Sequence, residues 1–366
     1  MGNKILFLGN NQSGWENISA INPIDQISLT IDDPSYLLIE FAEKHKGKLV
    51  AGFISYEYGV KQLGLNTRAL NGFPAAHFYA FNKFEKYKES VYLSGSIWTP
   101  FQPIISRQEY DTNYYKIKDC IREGDFYQLN YTHLLKSKTK TSPENFFQTL
   151  RAKNKVGYSA FMEGDGWAIH SLSPEQFINI QDKTIITRPI KGTIQRGNNE
   201  IDDKNNLKQL LKSKKEQAEL YMIIDLLRND LGKICRTGSV EVLKIKSIQK
   251  LEKVFHTYGL IKGKIKNDIH PIEILVSMLP GGSISGCPKK RACEIIYNVE
   301  PNARRIYTGT IGYIMPNGNL NFNIAIRTIL QKGAELTLGV GGGITINSNN
   351  DDEYNETLAK AASLQP

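Results

Sequence analysis

Beyond Gly124, helical and strand patterns alternate with no regular strand-helix-strand period, and no Gly-x-Gly-x-x-Gly run follows a strand. A doubly wound parallel sheet needs a crossover helix between successive strands, and a dinucleotide site needs that glycine run at the first turn. The chain therefore reads as mixed α+β, built on large antiparallel sheets. Residues 1–100 fit this reading, with short strand patterns at Lys48–Tyr56, His77–Phe81 and Ser90–Ser94 separated by Gly, Pro and Asn turns. A helix is predicted from Ser106, where Ser106 and Glu109 have capping-box spacing; it runs through Tyr110, Tyr114, Ile117 and Ile121 to Gly124. At 366 residues the chain can bury a large core, arranged as about two domains or one compact unit.

Forty per cent hydrophobic residues, many of them Tyr and Phe, place the chain among folded proteins. No stretch approaches the ~18 uncharged apolar residues of a membrane span. The opening Met1–Gly9 is too short an apolar run for a secretory signal, and Leu6 stands where a myristoylation motif needs Ser or Thr. A cytoplasmic protein without membrane association is expected. Four cysteines, Cys120, Cys235, Cys287 and Cys293, form no Cys-x-x-Cys pair and no cluster with His, so reduced, buried thiols are expected. A net charge of +9 admits a basic nucleic-acid-binding protein as the rival class. The lysines are scattered, however, and the densest stretch, Lys204–Lys215, is interleaved with Asn, Gln and Leu, beside no nucleic-acid-binding signature. Anionic small molecules are the better-matched partners, and no nucleic acid is expected.

Three local features call for chemistry. On the strong helical pattern Glu216–Asp230, Glu219 shares a face with Met222, Ile223 and Leu226. A carboxylate there either snorkels to the helix edge or has a cation, a metal or a proton for company, because burying it unpaired is costly. A second acidic helix closes the chain: Ser348 or Asn349 can cap it, Asp351 and Asp352 suit its positive end, and Glu353, Glu356 and Lys360 line one face. Two such helices can offer oxygen ligands to Mg2+, which takes few carboxylates together with waters and an anionic substrate. Glycine runs at Gly339–Ile344 and within Pro280–Lys289 are either plain turns or places where backbone N–H groups approach an anion. The second is no P-loop, since Cys287 follows Gly286 where Lys is required.

Taken in order, Gly124–Asn130, Ser173–Phe177, Pro189–Thr193, Ile223–Leu231, Pro280–Gly286, Asn323–Thr328, Gly341–Ile344 and Glu353–Lys360 resemble the successive motifs of the chorismate-utilising enzymes. These are the catalytic components of anthranilate and aminodeoxychorismate synthases, with isochorismate and salicylate synthases as relatives. The resemblance covers residues 105–362, a chorismate-binding catalytic region, with the β-rich residues 1–100 packed on the same core. It implies two large stacked antiparallel sheets flanked by helices, with the site between the sheets. It also implies roles. Glu219 and Glu356 would hold Mg2+, supported by Glu216 and Glu353. Thr193, Tyr307, Arg327, Lys360 and the backbone of Gly341, Gly342 and Gly343 would bind chorismate. His256 would lie near the departing C4 hydroxyl, and Glu175 would protonate it, a task for a carboxyl kept protonated near neutral pH.

The branches of the family divide at the centre of Pro189-Ile-Lys-Gly-Thr193, where aminodeoxychorismate synthases carry Lys and the others Ala; here it is Lys191. Alone, Lys191 is an ordinary lysine in a Pro-Gly turn. Within the resemblance, its amine can attack C2 of chorismate as the C4 hydroxyl leaves, after which ammonia adds at C4 and expels it. Gln128 stands where the water-using branches place a lysine base, and an amide cannot deprotonate water. The implied product is 4-amino-4-deoxychorismate, with anthranilate as the rival. The implied ammonia source is a glutamine amidotransferase. No such domain and no nucleophile-type Cys is read in these 366 residues, so a separate subunit is expected. Ile54–Gly59 resembles the aminodeoxychorismate branch, while Leu37–Glu40 only approximates the Leu-Leu-Glu-Ser element of tryptophan-inhibited relatives.

Overall fold

The computed structural model of the chain describes residues 3–10, 14–88, 97–251 and 254–366; the strand predicted at Ser90–Ser94 lies outside the described residues. Ser106 caps a helix over Arg107–Arg122 through reciprocal bonds with Glu109, and Gly124, at φ 84°, lies just beyond its end. The Lys48–Tyr56 pattern is a strand only over Leu49–Ile54. It stops there because Ser55 caps a helix over Tyr56–Gln62, its hydroxyl accepting from the Tyr58 amide.

Among the described residues the strands form two antiparallel sheets of ten strands each. In the first, Gln128–Lys138 lies beside Glu335–Thr345, followed by Thr328–Lys332, Trp167–Ser173, Tyr158–Gly164, Lys4–Leu8 and Ile18–Ile21. In the second, Ile190–Gln195 and Glu241–Lys250 pair with Val254–Lys264. Beyond them come Thr184–Arg188, Gln176–Gln181, Leu320–Ile324, Thr310–Ile314, Leu49–Ile54, Ala76–Phe81 and Asp25–Leu29. This is the fold class expected from the sequence. The N-terminal strands enter both sheets, Lys4–Leu8 pairing with Tyr158–Gly164 and Leu49–Ile54 with Thr310–Ile314.

Strand alternation explains the layering. Along Lys4–Leu8, Ile5 and Phe7 face the core shared by the two sheets, while Leu6 and Leu8 face a second apolar cluster built with the helix Pro143–Lys153. All four are fully buried. The Phe7 ring meets Trp15 at 4.8 Å and Tyr313 of the second sheet at 5.0 Å, both edge-on.

Two of the points at which the chain changes sheets lie side by side. Trp167–Ser173 in the first sheet continues as Gln176–Gln181 in the second, and Leu320–Ile324 in the second returns as Thr328–Lys332 in the first. The crossings are laced together: the Ile324 amide donates to the Glu175 carbonyl at 3.1 Å, and the Leu172 amide to the Arg327 carbonyl at 3.0 Å. The Ser173 hydroxyl adds a 2.6 Å bond to the Ile324 carbonyl. Glu175 and Arg327, far apart in sequence, therefore share one seam.

None of the described helices is long and apolar enough to cross a membrane. The four cysteines are free; Cys235 and Cys293 are buried as expected, whereas Cys120 and Cys287 are only half-buried.

Because Phe7 joins the layers, Phe7→Ala should lower the unfolding free energy by about 3–5 kcal/mol in urea titrations. A loss below about 1 kcal/mol would mean the site collapses around the cavity and the contact is not what holds the sheets together.

Candidate active site

Glu175 lies at the first crossing and is 6% exposed. Its amide donates to the Ser173 hydroxyl, and its carboxylate accepts from the Ser283 hydroxyl at 2.9 Å. Burial pushes the carboxyl up to about 7; the positive charge of Lys191 is the largest opposing influence, followed by the Ser283 bond, the Ile190 amide and Lys360. A proton is thus available near neutral pH. Ser283, which the sequence did not single out, belongs to a short 3-10 turn over Gly282–Ile284 within the Pro280–Lys289 run.

Lys191 sits on the strand Ile190–Gln195, half-buried. The next residue must be glycine for two reasons. Gly192 has φ 86°, and a Cβ there would lie 2.8 Å from the Thr257 hydroxyl and 3.1 Å from a Glu216 carboxylate oxygen. The Thr257 hydroxyl donates to the Lys191 carbonyl, fixing the backbone that presents the amine. Glu216 reaches this point from the helix Lys214–Ile234, which packs on the strands Ile190–Gln195 and Val254–Lys264 and on the Gly282–Ile284 turn. Glu219 is half-buried on that helix, with Met222 and Leu226 half-buried and Ile223 buried beside it.

The Gly339–Ile344 run is strand rather than turn, inside Glu335–Thr345. Past Leu338 this strand parts from Thr328–Lys332, so one edge of the glycine run carries no strand pairing. The Gly341 carbonyl there accepts from Lys360 at 2.8 Å. Gly342 faces the closing helix: a Cβ on it would lie 3.2 Å from a Glu353 oxygen and 3.9 Å from the Lys360 nitrogen. At Gly343 a Cβ would fall 2.1 Å from the Gln128 side-chain nitrogen, so the missing side chain makes room for that amide. Gln128 is buried, and its side-chain oxygen has no hydrogen-bond partner among the described residues.

Asn349, not Ser348, caps the helix Asn350–Ala362. The Ser348 hydroxyl instead donates to buried Glu353 at 2.6 Å, while Glu356 pairs with Lys360 at 2.8 Å. A residue the sequence did not flag secures this arrangement. Lys118 donates to the carbonyls of Thr345, Ile346 and Ser348 at 2.5–3.1 Å, and the Tyr114 hydroxyl adds a second bond to Ser348. The signal was a lysine four residues after Tyr114 on an otherwise apolar face.

At the second crossing Arg327 takes φ 49°, a left-handed conformation that costs about 1–2 kcal/mol for a side chain of this kind. Its half-buried side chain has no hydrogen-bond or ion-pair partner among the described residues, and burial lowers its pKa. Buried His256 shares a 2.7 Å hydrogen bond with the exposed Thr193 hydroxyl. Burial, then the charges of Arg327 and Arg188, push its pKa down to about 4, so the imidazole is neutral. Tyr307 packs against Gly339, at the start of the glycine strand, where a Cβ would meet its ring at 2.2 Å.

The chorismate binding enzyme family matches residues 95–366 by its sequence profile. The chain belongs to this family. Over 268 residues it is 36% identical to aminodeoxychorismate synthase component 1 of Salmonella typhimurium, a match covering 72% of this chain and 59% of that protein. Anthranilate synthase component 1 of Lactococcus lactis is also 36% identical, over 71% of this chain and 57% of its own length. The matched stretch thus spans under two thirds of these relatives. The crystal structure of anthranilate synthase component I from Streptococcus pneumoniae superposes with a TM-score of 0.82 at 26% identity, covering 99% of this chain and 92% of that one.

Among the described residues no three His, Cys, Asp or Glu side chains gather as a metal cage. The candidate donors near the site are carboxylates, with Glu353 turned toward the hydrogen-only surface of Gly342 and Glu216 toward that of Gly192. Hard oxygen donors in small number fit Mg2+, which keeps waters and substrate oxygens as its remaining ligands.

The titration of Glu175 carries a stability consequence. Its folded pKa of about 7 exceeds the ordinary 4.5, so the folded chain binds this proton more tightly, and stability is lost as pH rises from 4.5 through about 7, by up to about 3 kcal/mol. Glu175→Gln should therefore unfold at higher urea than the parent at pH 8, with most of that advantage gone at pH 5. An advantage independent of pH would contradict the raised titration.

Proposed function

We propose that this chain converts chorismate and ammonia to 4-amino-4-deoxychorismate and water, through an intermediate bound covalently to Lys191. The observation that carries the reading is the placement of Lys191 beside Glu175, close enough to be the chief charge acting on that buried carboxyl. Burial keeps a proton on Glu175 beside the lysine nitrogen, so an acid for the departing hydroxyl and a nucleophile for C2 lie side by side.

The steps then balance. The Lys191 nitrogen bonds to C2 as the C4 hydroxyl departs, taking the Glu175 proton to leave as water. The new secondary ammonium returns a proton to Glu175. Ammonia adds at C4, the Lys191 nitrogen leaves C2 with that proton, and the new C4 ammonium returns a proton to Glu175, restoring the acid. Arg327, Lys360 and the open edge of the glycine strand hold the substrate anion, and neutral His256, oriented by Thr193, is placed to accept or donate a hydrogen bond at the reacting face. Glu219 and Glu356, supported by Glu216 and Glu353, would hold Mg2+. When bound, the ion supplies positive charge that neutralises a substrate carboxylate. Gln128 occupies the place of a base without being one, which favours ammonia over water as the incoming nucleophile. Ammonia would come from a separate glutamine amidotransferase; the designation "component 1" of the relatives fits a two-part enzyme.

Anthranilate synthesis is the competing reading, favoured by a relative of that name at the same identity. Incubation with chorismate, Mg2+ and ammonium should yield aminodeoxychorismate, and fluorescent anthranilate as the main product would reverse the assignment. Lys191→Ala should still bind chorismate but lose the covalent adduct seen by intact mass in the parent. An undiminished rate in that variant would remove Lys191 from the mechanism.

A further inference from the structure

We propose that Arg188 is a second anion-binding residue of the site, sharing one substrate carboxylate with Arg327. The proposal rests on the reading above that chorismate, a dicarboxylate, is the substrate. Arg188 ends the strand Thr184–Arg188, and its guanidinium lies over the Tyr258 ring, 3.9 Å from the centroid. The stack occupies one face of the guanidinium and leaves its N–H edge unused. Its Nε is buried and has no hydrogen-bond partner among the described residues, and no carboxylate there pairs with the side chain. A stacked arginine at the surface would give that edge to water.

The neighbours define what the edge faces. Tyr258 and His256 are two residues apart on Val254–Lys264 and so lie on one face of the strand, with Thr193 opposite His256 on Ile190–Gln195. Lys244 donates to the Tyr258 hydroxyl at 3.1 Å, steadying the ring on which Arg188 rests. The positive charges of Arg327 and Arg188 both add to burial in keeping His256 neutral. Neither guanidinium pairs with an acid among the described residues, which leaves partly buried positive charge that an anion would compensate. A planar carboxylate suits two forked donors arriving from different strands, one fixed by a ring and the other by the crossing between the sheets.

The test is chorismate affinity by calorimetry in EDTA, which removes any metal contribution, for the parent, Arg188→Gln, Arg188→Lys and Arg327→Gln. Arg188→Gln should weaken binding roughly tenfold or more, and Arg188→Lys should recover only part of it, because an ammonium lacks the fork. Combining Arg188→Gln with Arg327→Gln should weaken binding less than the product of the single effects, since one carboxylate is shared. Tyr258→Leu, which spares both arginines, should also weaken binding, and it serves if Arg188→Gln does not fold. Affinity within twofold of the parent in Arg188→Gln or, failing that variant, in Tyr258→Leu, while Arg327→Gln loses binding, would overturn the proposal. A parent chain that does not bind chorismate would instead overturn the substrate assignment on which it rests.

Discussion

The two hydrogen-bonded crossings between the sheets are the constraint on which the site depends. A strand that leaves one sheet for the other must interrupt its ladder, and the freed backbone groups need partners. Here each crossing supplies them to the other: the Ile324 amide bonds to Glu175, and the Leu172 amide to Arg327. That reciprocity fixes a buried acid and an unpartnered guanidinium on the same seam, and it holds Arg327 in a conformation it would not adopt alone. The large antiparallel sheets around the seam, packed through rings such as Phe7 and Tyr313, keep it dry enough for Glu175 to retain a proton near neutrality.

Around that seam, missing side chains and one buried cation set the remaining distances. Gly192 lets Glu216 and Thr257 close on the backbone of Lys191, and Gly343 lets Gln128 fold over the glycine strand. Lys118 gathers three carbonyls of the segment between that strand and the closing helix, so the positions of Glu353, Glu356 and Lys360 are tied to the helix Arg107–Arg122 rather than left to a free loop. Charge is thereby partitioned: the lysine charge of Lys191 opposes the burial that raises Glu175, two helices carry carboxylates, and the charges of Arg327 and Arg188 add to burial in keeping His256 neutral.

Much of this was legible in the chain. The missing strand-helix period pointed to antiparallel sheets, Ser106 and Glu109 marked a helix start that is present, and helical spacing placed Glu353, Glu356 and Lys360 on one face. What local patterns could not give was convergence over distance. Nothing between Ser173 and Thr328 announces that Glu175 and Arg327 lie on neighbouring crossings, because that follows from strand order. The Gly339–Ile344 run was ambiguous because glycine weakens a strand and favours turns, and only its pairing with Gln128–Lys138 settles it. Lys118 and Arg188 escaped notice because a single basic residue on a helix face or at a strand end ordinarily reads as solvated; the carbonyls around Lys118 and the ring under Arg188, remote in sequence, are what hold them in place.

The central claim is that Lys191 and Glu175 act as a coupled pair. Infrared titration of the Glu175 carboxyl, identified by difference from Glu175→Gln, tests it most directly in the parent and in Lys191→Ala. The account predicts a midpoint of about 7 in the parent and a higher one in the variant, because the lysine's charge opposes the effect of burial. A parent midpoint in the ordinary carboxylate range, or one that does not move when Lys191 is removed, would contradict it.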